Sequence, residues 1–217
     1  GAGNVAVGKG ALVANTTGNY NIAVGRDALG ANTTGAGNVA VGTGALDAQT
    51  SGGDSNTAVG HFTLSANTTG DNGVAVGYNA LNANTTGGSN IAIGYGALLV
   101  NTTGASNVAI GRNALDANTT ADNNTAVGYA ALGANTTGTY NVALGASALL
   151  DATTADHNTA IGYEASANVT TGADNTSVGS AALAITTTGA KNTAVGRQAL
   201  NANTTAASNT ALGYVAL

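Results

Sequence analysis

The sequence predicts an all-β fold, a parallel β-roll or β-solenoid of about 13 rungs with 17 residues in each. Three observations carry this. First, a short motif of the form Asn-x-Ala-x-Gly recurs thirteen times, ending at Gly8, Gly25, Gly42, Gly60 and so on to Gly213; eleven of the twelve intervals are 17 residues and one is 18. Strict self-similarity at a fixed period marks an architecture of stacked units. Second, the residues before each Gly are β-branched or small, as in Asn-Val-Ala-Val-Gly at Asn4 to Gly8, which suits a short strand. Third, only 7% of residues are charged and Pro is absent, yet Val, Ile and Leu keep their phase throughout, which a disordered chain does not need to do.

The elements follow from folding the chain onto one period, with the repeat Asn at position 1. Position 1 is Asn in every copy but Gly73; position 2 is Val, Ile or Thr; position 3 is Ala except Ser177; position 4 is Val, Ile or Leu. Positions 2 to 4 form the first strand. Position 5 is always Gly, as expected where the backbone takes positive φ or another chain segment passes close by. Position 8 is Ala except Thr63, and position 9 is Leu except Ser166. Positions 8 to 11 or 12 are read as a second short strand. A helix over Ala-Leu-x-Ala is the rival, but four residues between Gly-bearing turns cannot nucleate one. Positions 11 to 15 are mostly Ala-Asn-Thr-Thr-Gly, as at Ala83 to Gly87, and make the return turn. The extra residue of the 18-residue interval falls between Ser51 and Asn56, in that turn, where it leaves the strand register untouched.

A single rung cannot bury its apolar residues; stacked rungs can. The Leu column (Leu12, Leu29, Leu46, Leu81, Leu98, Leu115) is expected as one core ladder and the position-4 column (Val7, Val24, Val41, Val59, Val76, Ile93) as another. At about 4.8 Å per rung, thirteen rungs would span about 58 Å. Position 3 points opposite to positions 2 and 4. Its column of Ala is expected to face a second chain and to let two sheets approach closely. Stacked Asn amides at position 1 are expected to hydrogen-bond along the ladder.

The motif, as it stands at Asn4 to Gly8, Asn90 to Gly94 (Asn-Ile-Ala-Ile-Gly) and Asn192 to Gly196 (Asn-Thr-Ala-Val-Gly), resembles the head repeats of trimeric autotransporter adhesins. The resemblance covers the whole chain. It implies a left-handed β-roll, a homotrimer, and cell adhesion at the bacterial surface, toward a cell-surface glycan or matrix protein. The adhesin heads use a shorter period, so the 17-residue rung and its Asn-Thr-Thr-Gly segment depart from the pattern. Similar repeats occur in phage tail fibres and other trimeric bacterial fibres. The implied location is therefore extracellular, either at a cell surface or in a virion fibre. Both ends cut through a repeat, so the sequence reads as one repeat domain, residues 1–217, of a longer fibrous protein.

Chemistry finds little purchase in the residues. Glu164 is the only Glu, Asp does not recur in the same column of each rung, and His61 and His157 occupy positions 6 and 17 many rungs apart. No catalytic, cofactor or metal site is expected. The five cations form no basic stripe, which disfavours nucleic acid, and no stretch is long and apolar enough for a membrane span. Turn Asp residues are expected to hydrogen-bond backbone. The Asn-x-Thr sequons at Asn15, Asn32, Asn67, Asn84, Asn101, Asn118, Asn135, Asn168 and Asn203 lie too close together for full glycosylation. The candidate contact column is position 6, next to the invariant Gly: Arg26, Tyr78, Tyr95, Arg112, Tyr129, Tyr163, Arg197 and Tyr214. Tyr78 and Tyr95 fall on adjacent rungs, where stacking is the competing explanation. A phage tail-fibre shaft is the first alternative function, and an ice-binding solenoid the second, carried by the Thr pair at positions 13 and 14, although adjacent Thr residues point opposite ways. A pectin-lyase-type enzyme lacks its clustered carboxylates here.

Overall fold

The computed structural model describes all residues, 1–217, and contains thirteen three-residue strands and no helix. They are β1 (Val5–Val7), β2 (Ile22–Val24), β3 (Val39–Val41), β4 (Thr57–Val59), β5 (Val74–Val76), β6 (Ile91–Ile93), β7 (Val108–Ile110), β8 (Thr125–Val127), β9 (Val142–Leu144), β10 (Thr159–Ile161), β11 (Thr176–Val178), β12 (Thr193–Val195) and β13 (Thr210–Leu212). The fold is a parallel β-solenoid. Two compact units divide it, Gly1–Asn107 with β1 to β6 and Val108–Leu217 with β7 to β13. Within each unit successive strands pair in parallel and like residue meets like residue, as in Ala6 with Ala23 and Ala126 with Ala143.

The 18-residue interval behaves as expected. β3 pairs β4 in register, Val39 with Thr57 and Ala40 with Ala58. The added residue is taken up by Gly52 and Gly53, at φ 74° and 72°. Asn38 then donates to the Gly53 carbonyl at 2.9 Å.

The core differs from the expectation in three respects. The Ala column lies inside: Ala23, Ala40, Ala75, Ala126 and Ala160 are all 0% exposed. It packs with the Ala and Leu of positions 8 and 9, of which Ala28, Leu29, Ala131 and Leu132 are also 0% exposed. Ala therefore is not a contact for a second chain; a narrow coil has room for a methyl on one wall because Leu fills the space from the other. The position-4 column is not a core ladder either. It points outward together with position 2, and Val41, Val59, Ile93 and Ile110 are 36–37% exposed.

Third, no second strand forms over positions 8 to 12; that stretch is a run of turns. Its residues alternate into the left-handed region, at position 7 (Asp27 φ 56°, Asn79 φ 54°) and position 9 (Leu29 φ 50°, Leu81 φ 54°). Strand assignment is lost, yet the inter-rung bonds continue: Leu29 N donates to Ala45 O at 3.0 Å and Ala31 N to Asp47 O at 3.1 Å. Left-handed backbone costs a Leu about 1–2 kcal/mol, and complete burial of its side chain offsets that with about 1.5–3 kcal/mol. Alternating left- and right-handed residues bend the chain tightly, so 17 residues close one coil while alternate amides still point along the stack.

Two columns of buried Asn stitch the rungs together. At position 1, Asn21 Nδ2 donates to Gly35 O at 2.8 Å, while its Oδ1 accepts the backbone N–H of Asn38 at 3.0 Å. At position 12, Asn32 Nδ2 donates to the same Gly35 carbonyl at 3.1 Å. The position-12 amides also bond one another, Asn84 to Asn67 Oδ1 at 2.9 Å and Asn101 to Asn84 Oδ1 at 3.0 Å. Buried polar groups that are fully paired stabilise a unique register, whereas an unpaired one costs about 1–3 kcal/mol. The amide ladder expected from the sequence is thus present, in two columns and not one.

Candidate functional site

The position-6 column is placed by the Gly before it. These Gly residues have φ between 126° and 139°, a region closed to other residues. A Cβ on Gly42 would stand 2.2 Å from the Gly60 carbonyl oxygen of the next rung. The backbone thus turns sharply in close contact with its neighbour, and the following side chain leaves the coil. Tyr78, Tyr95, Tyr129, Tyr163 and Tyr214 are 47–70% exposed, so the column lies outside as expected.

Each of its eight candidates is engaged within the chain. In the first unit Tyr78 stacks on Tyr95 with ring centroids 5.4 Å apart and planes at 12°. His61 stacks on the other face of the row, 5.5 Å from Tyr78 at 4°. Arg26 Nε lies 3.7 Å from Asp27 Oδ2 in an exposed pair. In the second unit the Arg112 guanidinium lies 6.0 Å from the Tyr129 ring centroid, and that of Arg197 lies 5.7 Å from Tyr214. Tyr163 hydrogen-bonds the Glu164 carboxylate, which, with the charge of that carboxylate, holds the phenol above its usual range.

This geometry limits what the column can do. Parallel rings turn their faces toward one another, so the stack offers edges and phenolic hydroxyls rather than open faces. Such rows of like side chains on adjacent strands stabilise the sheet by cross-strand contact. The column is accordingly a surface ridge whose energetics are explained by self-stacking, and the structure brings together Tyr78 with Tyr95, Arg112 with Tyr129 and Arg197 with Tyr214.

His157 stacks on Tyr140 at 5.1 Å in the position-17 column, away from His61. No group of three or more His, Cys, Asp or Glu is arranged to hold a metal ion, and no helix is long and apolar enough to cross a membrane. The turn Asp residues reach across rungs: Asp54 Oδ1 accepts from Ala36 N at 2.8 Å, and Asp156 Oδ1 from Thr139 N at 2.6 Å. Asp47 and Asp116, both at position 10, are partly buried, and desolvation raises their carboxyls above the usual range. The sequon Asn residues of position 12 from Asn32 to Asn135 are buried to within 1% and hydrogen-bonded through Nδ2; a glycan on that nitrogen is incompatible with the fold. Asn168, shifted to position 11, is exposed.

Sequence reasoning missed one surface feature. Positions 2 and 4 form two outward columns of Val, Ile, Leu and Thr on a parallel ladder, with Val142 37% and Leu144 45% exposed. The signal was present in the invariance of Val, Ile or Leu at position 4, which was read as burial in the coil.

Comparison of the chain with known protein families, with characterised proteins and with solved structures finds no match.

Proposed function

We propose that this chain is a structural and adhesive fibre segment that assembles side by side with copies of itself, as a homotrimer, and has no enzymatic activity. The observation that supports this is the outward apolar ladder of positions 2 and 4. In the second unit alone, seven strands at about 4.8 Å spacing and two columns about 7 Å apart present roughly 200 Å² of surface, with Val, Ile or Leu throughout position 4 and Thr at most of position 2. A continuous exposed row of Val, Ile and Leu at position 4, with no charged residue in the strands, makes this ladder the candidate interaction surface. Because every rung repeats it, an identical rung on a second chain is its natural complement, and in-register copies bury like against like. The number three rests on the resemblance of the Asn-x-Ala-x-Gly motif to the trimeric adhesin heads. That resemblance also suggests a place at a bacterial surface or in a phage tail fibre, with a glycan or matrix protein as target.

Sedimentation equilibrium tests the assembly. A mass three times 20.5 kDa is expected, and Val178→Lys with Val195→Lys should reduce it to the monomer while the coil stays folded, since both side chains point outward. A monomeric wild-type chain refutes the assembly.

A second reading, an ice-binding solenoid, draws on one observation. Four consecutive strands, β10 to β13, carry Thr outward at position 2 (Thr159, Thr176, Thr193 and Thr210). The Thr pair of the return turn gives less support, because position-13 hydroxyls are committed to the next rung, as Thr85 Oγ1 to Thr102 O at 3.0 Å. Thermal hysteresis that vanishes with Thr176→Tyr and Thr193→Tyr would favour this reading over the first.

A further inference from the structure

The second unit carries a feature that the regular rungs lack. The repeat consensus breaks over three successive coils, at Asp151 and Ala152, at Ser166, Asn168 and Val169, and at Ile185 and Thr186. The core accommodates the change: Ser166 replaces a core Leu and its Oγ meets the Oγ of Ser177 at 2.8 Å, while Val169, 0% exposed, replaces an Asn and restores apolar volume. On the outer wall of the same coils, away from the strand ladder, a groove of about 430 Å³ opens between the position-7 and position-10 columns. That volume is in the range of small-ligand clefts.

The lining has a definite chemical character. Leu150, Ala184 and Ile185 supply apolar lining, and Glu164, Gln198 and Asn201 supply polar lining. Asn201 Oδ1 is shielded from solvent and has no hydrogen-bond partner within the chain, so the amide's Nδ2 is the group left to face the groove. No Lys or Arg lines the groove. Small side chains make the opening: Ala181 and Ala184 stand where other rungs have residues such as Asn79 and Leu99.

We infer that this groove is a binding site for a neutral oligosaccharide. A sugar ring presents hydroxyls that both donate and accept, which matches side-chain amides and a carboxylate, and a C–H face that packs on apolar side chains such as Leu150 and Ile185. An anionic sugar meets the Glu164 carboxylate and no compensating cation. A planar aromatic ligand finds no ring in the lining to stack on. The inference rests on the adhesive reading above, and supplies it with a binding site distinct from the position-6 ridge, but it does not require assembly into a trimer.

The test is a titration of the ¹⁵N-labelled chain with cellotriose, with chitotriose, and with trigalacturonate as the anionic control, followed at the side-chain amides of Gln198 and Asn201. Saturable shifts of these amides with a neutral trisaccharide below about 20 mM are expected, with no saturation by trigalacturonate. Ala184→Leu fills the groove with a residue that Leu99 and Leu150 already place at the equivalent position; it should weaken binding about tenfold or more. Gln198→Ala, whose left-handed backbone Ala130 and Ala181 also adopt (φ 49° and 54°), should weaken it about fivefold, the value of one neutral hydrogen bond. Tyr78→Ala, in the first unit, should leave it unchanged. Absence of shifts with both neutral sugars, binding indifferent to Ala184→Leu, or preference for trigalacturonate overturns the inference. A monomeric chain that binds cellotriose would remove the trimer and keep the groove; a trimer that binds neither neutral sugar would do the reverse.

Discussion

Asn141→Ala isolates the contribution of the position-1 amide column. Asn141 is fully buried. Its Nδ2 donates to the Ala155 carbonyl at 2.7 Å, and its Oδ1 accepts the backbone N–H of Asn158 at 3.0 Å. Truncation leaves both of those buried backbone groups without a partner. Each orphaned group costs about 1–3 kcal/mol, so the loss should be roughly 2–6 kcal/mol, before any contribution from the void left by the amide. The strand pairing is untouched, because Val142 N still reaches Asn158 O at 2.8 Å. In a stacked array each rung depends on its neighbours, so the damage should be local. Native-state hydrogen exchange reads this directly: protection of the Asn158 amide should fall by at least tenfold, with amides of distant rungs such as Val39 unaffected. Urea denaturation should show the same loss. Thr154→Ala, at an exposed turn position, serves as control and should change stability by less than about 0.5 kcal/mol. Asn141→Asp keeps the acceptor but loses the donor and buries a charge, so at pH 7 it should be at least as damaging, and recover partly in acid. A loss below about 1 kcal/mol for Asn141→Ala, with Asn158 still protected, would refute the claim that the amide ladder holds the rungs together.

Other substitutions probe the same architecture. Gly73 is the single gap in the position-1 column, and Gly73→Asn should raise stability by about 1–2 kcal/mol in urea melts, by adding an Nδ2 donor for the Gly87 carbonyl and an acceptor for the Asn90 amide; the Asn56 Oδ1, 3.0 Å from the new Cβ, must yield slightly. Gly111→Ala places a Cβ 2.4 Å from the Gly128 carbonyl oxygen at φ 135°, and should cost about 3 kcal/mol or more, with loss of exchange protection centred on β7 and β8. Asp47 and Asp116 bear raised carboxyls in the fold through desolvation. A raised native value means that the folded state holds the proton more tightly, so stability falls as pH rises from the ordinary Asp value of 3.8 through the higher native value. Asp47→Asn with Asp116→Asn should therefore flatten the pH profile in that window and raise the thermal midpoint at pH 7; position 10 already accepts Asn at Asn82 and Asn201.

The sequence by itself determined the solenoid: the period, the Gly corner, the first strand, the site of the added residue and the outward position-6 column were all legible. These depend on sterics and phase, which a repeat displays openly. Gly at position 5 is required whatever packs around it, because its backbone conformation and the next rung's carbonyl exclude a Cβ. Only the tertiary structure decided which wall of the strand faces in. Ala and Val are both apolar, so alternation cannot distinguish a narrow interior lined by methyl groups from a wide one lined by Val. The choice follows from cross-section, since Leu from the opposite wall leaves room for Ala alone. The structure also decided that Leu and its neighbours take left-handed turns rather than a strand. Local propensity argues against such a conformation, and burial of the Leu column together with inter-rung hydrogen bonds outweighs it. The groove between Leu150 and Asn201 was marked in the sequence only as a lapse of the consensus, because a lapse names residues but not the space between them.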